Sequence, residues 1–256
     1  MRRFLVVWLA VVATAAATQA GTAKPPRFHV IAHVDSGGGY SADVVGERHY
    51  AYLSSRAGAN DDCPAQGVRV FDLADPSRPR KIASFGRVPG TWSEKTIVRR
   101  VHTADFDGVL DVTSLQACSN GFGGFGVFDV TRPRHPRRLA LVRTEPRGSH
   151  EIWLAAARGH AWVYTAEAAA EFALSRELFG FHIYDVSQPR KPVEVGGWSA
   201  CRDLDDCTPL SAQGGDHRHL VHSVITNAAA SQISWEPRGS VRTSASCLGF
   251  AGRVTS

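Results

Sequence analysis

Apolar and polar residues alternate along this chain in short runs, and one such run recurs with its punctuation intact. Val70-Phe71-Asp72-Leu73-Ala74-Asp75-Pro76 precedes Ser77-Arg78-Pro79, and Val127-Phe128-Asp129-Val130-Thr131-Arg132-Pro133 precedes Arg134-His135-Pro136. Ile183-Tyr184-Asp185-Val186-Ser187-Gln188-Pro189 precedes Arg190-Lys191-Pro192, so the aspartates stand 57 and 56 residues apart. β-branched and aromatic residues before each aspartate predict a strand. The aspartate predicts a turn whose backbone N–H groups it accepts from, and the two prolines stop the ladder and stiffen the reversal. A strand follows each turn, at residues 81–85, 138–142 and 193–197. Two more precede it, at 50–53, 109–112 and 161–164, and at 42–45, 96–101 and 151–154.

Four short antiparallel strands per repeat are the makings of a propeller blade. A β-sandwich needs no repeat of this length, and the coils of a solenoid are much shorter. The expectation is an all-β propeller with blades at residues 39–86, 95–143 and 149–198. The ends do not match each other. Pro26-Arg27-Phe28-His29-Val30-Ile31-Ala32 resembles the strand after each Pro-x-x-Pro and predicts an outer strand with no partner before it. A fourth blade starts at residue 220 and then leaves the pattern, and residues 228–256 form an atypical Ser- and Arg-rich tail. Three complete blades with orphan strands at both ends make an incomplete ring. Three explanations remain open: a reading-frame interruption near Ala228, a four-bladed ring that uses the tail, or self-association of two chains to close the ring.

The first twenty residues predict an address rather than a structural element. Arg2 and Arg3 precede a predominantly apolar run at residues 4–17. Thr18-Gln19-Ala20 then offers small residues at the two positions a signal peptidase reads. Residues 1–20 are therefore expected to be a cleaved signal peptide, with the mature chain secreted, extracellular or on the cell surface, or periplasmic in a two-membrane bacterium. Composition fits an ordered domain, at 43% hydrophobic and 21% charged residues. The formal net charge is +5, of which the leader supplies two arginines and no acids. What remains is well mixed with no basic stripe, which argues against nucleic acid as a partner. No apolar run reaches the length of a transmembrane helix.

The Asp-Val-Ser-x-Pro-x-x-Pro unit resembles the LVIVD-repeat β-propellers. Gly39-Tyr40-Ser41-Ala42-Asp43-Val44, residues 98–118 and Leu220-Val221-His222-Ser223-Val224 are similar to segments of that family. The likeness covers roughly residues 27–225. It implies an exported or cell-surface propeller, in a family usually predicted to have about seven blades, and it implies little about chemistry.

Candidate chemistry is confined to cysteine and histidine. Export permits disulfides. Cys201 and Cys207 bracket a short acidic loop and form one expected pair. Cys63 and Cys118 occupy corresponding loops of consecutive blades and form a second, with free buried thiols as the alternative. Cys247 is left over. His217, His219 and His222 form a His-x-His-x-x-His run able to bind a transition metal. His150 and His222 both open an innermost strand and are expected to face the central channel. His102 falls on the opposite sheet face by its offset from Gly108, and the same count matches His150 with Arg99. Glu167 and Glu171 fall in an Ala-rich stretch, residues 166–173, which predicts a short solvated helix. Gly37-Gly38-Gly39 and the glycines of 121–126 open no helix, against a phosphate loop. The leading expectation is a non-enzymatic scaffold without cofactor, binding an extracellular or cell-surface ligand through its blade loops and channel mouth. The alternatives are a metal-dependent oxidoreductase holding one transition-metal ion on His150, His222, His217 and His219, and an inactive truncated product.

Overall fold

The computed structural model of the protein describes residues 28–37, 40–56, 63, 67–118, 121–144, 147–167, 180–199, 203, 221–227 and 233–237. The chain divides into two units, residues 1–31 and 32–256. The leader, Cys201, Cys207, His217, His219, Glu171 and Cys247 lie outside the described residues. So does the tail beyond residue 237.

Described residues of the first unit, 28–31, form no strand, and Phe28 is 97% and Val30 90% exposed. The expected outer strand at 26–32 is thus not formed over its described part. An extended segment has no ladder to hold it until a neighbouring strand supplies one.

The second unit is all-β. Strands β1 (Tyr40–Glu47), β2 (Tyr50–Arg56), β3 (Val68–Asp72) and β4 (Arg80–Phe85) form one antiparallel meander. In the second sheet β5 (Thr91–Trp92) and β6 (Thr96–His102) both pair with β7 (Asp107–Ala117), followed by β8 (Gly124–Asp129) and β9 (Arg137–Arg143). The third is the meander β10 (Ser149–Ala157), β11 (His160–Glu167), β12 (Gly180–Asp185) and β13 (Val193–Ser199). A fourth sheet holds β14 (Val221–Thr226) and β15 (Ile233–Pro237). β15 lies inside the segment expected to leave the pattern, so that segment supplies a hairpin partner for β14. Strands β1, β6, β10 and β14, one from each successive sheet, lie side by side, which makes them the axial strands of blade-like sheets.

Each repeated motif folds by the same local bonds. Asp72, Asp129 and Asp185 accept through Oδ1 from the N–H two residues on, at 3.0, 3.0 and 2.7 Å. The proline that follows takes the second position of a β-turn closed by Arg78 N–H to Asp75 O, His135 N–H to Arg132 O and Lys191 N–H to Gln188 O. The ladder slips by one residue at the same place each time, between Val70 and Phe71, Val127 and Phe128, and Ile183 and Tyr184. Thr131 and Ser187 also accept on their hydroxyls from Val109 and Ala161 N–H, a bond Ala74 cannot make.

No sheet buries its faces alone. Val98, Val109, Phe128 and Val130 of blade 2 pack on Tyr52, Val68, Val70 and Phe85 of blade 1. Ile152, Leu154, Tyr184 and Val186 of blade 3 pack likewise on Val101, Leu110, Phe125 and Val127 of blade 2. The motif's aromatic residue is the key of each junction. Phe128 meets Phe85, and Tyr184 meets Phe125, edge-on with ring centres 5.0 Å apart in both. Cys63 and Cys118 are joined in a disulfide with Cα atoms 6.3 Å apart, which ties the β2–β3 connection of blade 1 to the end of β7.

Two carboxyls are enclosed in this core. Asp111 sits where blades 1 and 3 carry Ala51 and Val163, held by hydroxyl bonds from Thr96 and Thr113. Glu167 is buried among Thr144, Thr165 and Ser149 at the end of β11, rather than on a solvated helix as the alanine-rich stretch predicted. The alanines favour a helix in isolation, but pairing of Ala166 with Phe181 carries the strand on.

Burial pushes the Asp111 carboxyl up to about 7, against the pull of the Thr113 and Thr96 hydroxyls. Its folded pKa is therefore above its unfolded value. The stability it contributes is complete below about pH 4 and is lost as pH rises towards 7. Asp111→Asn should leave stability near pH 4 unchanged and raise it at pH 8 by about 2–4 kcal/mol, since each tenfold change in proton affinity is worth about 1.4 kcal/mol. Urea unfolding at both pH values checks this, and an equal effect at both would contradict it.

Candidate functional site at the axial strands

The axial strands share a second irregularity, and it builds the site. Ser41 faces Ser55 while Val44 faces Leu53, so β1 carries one residue more than its partner. Trp92 faces Gln116 while Thr96 faces Thr113, giving blade 2 the same surplus. In blades 3 and 4 the extra residue is a histidine. His150 lies between the pairs Ser149–Glu167 and Glu151–Ala166, and His222 between Val221–Pro237 and Ser223–Glu236. A bulge re-aims the side chains around it. At the same level in successive blades stand Ala42 and Asp43, Glu94 and Lys95, His150 and Glu151, and His222 and Ser223.

Side chains at that level meet across the blade junctions. The Lys95 ammonium lies 3.6 Å from Asp43 and 3.7 Å from Glu151, bridging three blades. Its backbone is pinned by Ser114, whose N–H bonds Lys95 O and whose hydroxyl accepts from Lys95 N–H. His150 Nδ1 lies 3.1 Å from Gln116 Oε1, and its Nε2 lies 3.1 Å from His222 Nε2. With Gln116 Oε1 as acceptor, His150 carries its proton on Nδ1, and His222 then donates from Nε2. Trp92 stands edge-on to His150 with ring centres 6.5 Å apart. Further along the strands Arg99 lies over the Trp153 ring, 5.5 Å from its centre, and Trp153 Nε1–H donates to Thr226.

Burial raises the Glu151 carboxyl, opposed by Lys95 and His222 and reinforced by Glu94 and Asp43. The cluster therefore holds both signs of charge, partly desolvated, with the Lys95 ammonium facing two carboxylates.

The structure brings His150 and His222 together and leaves His102 apart. His102 is exposed beside Asp107, 3.7 Å away, where β6 turns into β7. The match of Arg99 with His150 is overturned by register. Arg99 pairs with Leu110 as Ala155 pairs with Trp162, and Leu110 and Trp162 both face motif aspartates, so Arg99 corresponds to Ala155 and His150 to Glu94. The hairpin between β6 and β7 has a four-residue turn and that between β10 and β11 a two-residue one, so counting back from their glycines misaligns the strands. Among the described residues no three of His, Cys, Asp or Glu are grouped to hold a metal ion. The glycines of 121–126 serve close approach. A Cβ on Gly124 would meet Val142 O, and one on Gly148, at φ +84°, would meet Gly124 N and Leu115 O. Lys95, Gln116 and Glu151 have no motif to reveal them; the available signal is that Lys95 and Glu151 stand 56 residues apart, one repeat, beside a register slip.

No protein-family model matches the chain, and no curated protein sequence matches it. Among solved structures it is similar to a Bifidobacterium bifidum s17 protein assigned as an exo-beta-1,3-galactanase, at 14% identity and a TM-score of 0.39. That likeness covers 61% of this chain, and the chain spans about half of that protein's length (50%). A likeness at this level carries no argument about function.

Replacing Lys95 leaves Asp43 and Glu151 without their shared cation. Lys95→Met should cost about 1–2 kcal/mol at pH 8 and less at pH 5, because Glu151, already raised, takes up a proton more readily once Lys95 is gone. Chemical denaturation at the two pH values reads this. An equal loss at both would show that Lys95 contributes by packing alone.

Proposed function

We propose that this chain is an exported binding scaffold of the LVIVD-repeat type that takes its ligand at the axial cluster of Asp43, Lys95, Gln116, His150, Glu151 and His222. The observation that carries the reading is the shared bulge of the axial strands. It sets polar groups from successive blades at one level, each braced by a neighbour, as fixed donors and acceptors. Preorganised groups of this kind lower the entropic cost of recognition. The Cys63–Cys118 bond fits an oxidising compartment, and among the described residues no helix is long and apolar enough to cross a membrane. The ligand is a polar molecule outside the cell or on its surface, since the cluster offers an ammonium, carboxylates, an amide and imidazoles together.

The histidine pair favours a second reading, a metal-dependent oxidoreductase. Two imidazoles bound to one ion at about 2.0–2.1 Å hold their nitrogens roughly 3.3 Å apart in a tetrahedral site. His150 and His222 stand at 3.1 Å. His217 and His219, outside the described residues, are the remaining ligand candidates.

The two readings part on metal content. Equilibrium dialysis against micromolar zinc and copper, on wild type, His150→Ala and His222→Ala, should leave the scaffold without stoichiometric metal. About one ion per chain, lost in both variants, would favour the oxidoreductase. A small-molecule fragment screen by ligand-observed NMR should then find polar binders whose signals are lost in Lys95→Met. Binders indifferent to Lys95, His150 and His222 alike would sink the axial site.

A further inference from the structure

The blade junctions show which face of each sheet another blade covers, and among the described residues the first and last sheets leave that face open. By register, Val44 of β1 corresponds to Thr96, Ile152 and Val224 in the axial strands of the next three blades. Those three residues are 0, 1 and 3% exposed, whereas Val44 is 62% exposed. The cover comes from the preceding blade. Ile152 packs among Leu110 and Val112 of blade 2, and Val224 against Ala155 and Tyr164 of blade 3. The opposite flank repeats the pattern. Val45, Ile97 and Trp153 pack in the clusters that join their blade to the next, whereas Ile225, at the same repeat position, is 51% exposed.

We propose that these two flanks mate between copies of the chain, with the Ile225 side of one copy seated on the Val44 side of another, head to tail. The contact continues an interface the chain already makes between its own successive sheets, with the same repeat positions on each side. It is heterologous, since the two surfaces differ, so it either closes into a ring or extends as an open oligomer. A second copy is the occupant because each flank is complementary to the other flank of the same molecule and not to itself. The inference stands apart from the axial ligand site.

Sedimentation velocity on the full chain up to about 100 µM tests it, a range that captures weak association. The expected result is concentration-dependent association to at least twice the chain mass. Val44→Asp and Ile225→Asp should each weaken it about tenfold or more while leaving the far-ultraviolet circular dichroism unchanged, since both side chains are exposed. An equimolar mixture of the two variants should regain a single junction, because each keeps the flank the other has lost. A chain that stays monomeric across the range would overturn the proposal, as would association that neither variant weakens.

Discussion

Each blade of this protein is stable only against its neighbour. A four-strand sheet has two faces, and here both carry apolar side chains that their own sheet cannot enclose. Val98 and Phe128 need Tyr52, Val70 and Phe85, just as Leu154 and Tyr184 need Leu110 and Phe125. The hydrophobic contribution therefore sits at the junctions, at about 25 cal/mol per Å² of apolar surface removed from water. Hydrogen bonds of the Asp-Pro turn set the register that lets those faces meet. The same constraint accounts for the two open flanks, because a face built for a neighbour stays exposed where no other described sheet packs on it.

The axial cluster is a second consequence of the same repetition. Stacking blades at constant register brings equivalent residues of successive axial strands together, and the bulge turns two consecutive side chains of each strand towards one level. Asp43, Lys95 and Glu151 then form a relay of alternating charge across three blades, and His150 meets His222 across the next junction. These contacts join residues 52 to 72 positions apart in the chain, and no local motif encodes them. A repeat can thus assemble a site from residues that look ordinary one blade at a time.

Much of the fold is legible in the sequence because its signals are local. Asp72, Asp129 and Asp185 accept from the backbone two residues on, as an aspartate before a proline turn should, and each of the three motif strands ends on its aspartate. The pairing of Cys63 with Cys118 follows from their places in matching loops. What escapes depends on lengths and partners that composition does not record. The differing turns of two hairpins make a count from their glycines match Arg99 with His150. The alanines beside Glu167 suggest helix because pairing with Phe181 is a tertiary fact. Residues 28–31 resemble the strand after each Pro-x-x-Pro, yet such a segment becomes a strand only when a ladder receives it. His150 and His222 stand out as candidates in the chain itself, but Gln116, Lys95 and Glu151 become visible only once the blades are stacked.

The account's central claim is that blades stand or fall together through their junctions. Hydrogen exchange in mild denaturant on Leu110→Ala, a core truncation worth about 2–5 kcal/mol, tests it most directly. Leu110 belongs to blade 2 but lies in the cluster it shares with Ile152 and Leu154 of blade 3. The account predicts that amides of β8 and β12 lose protection together and by the same amount. Loss confined to β6–β9, with β10–β13 unchanged, would contradict it.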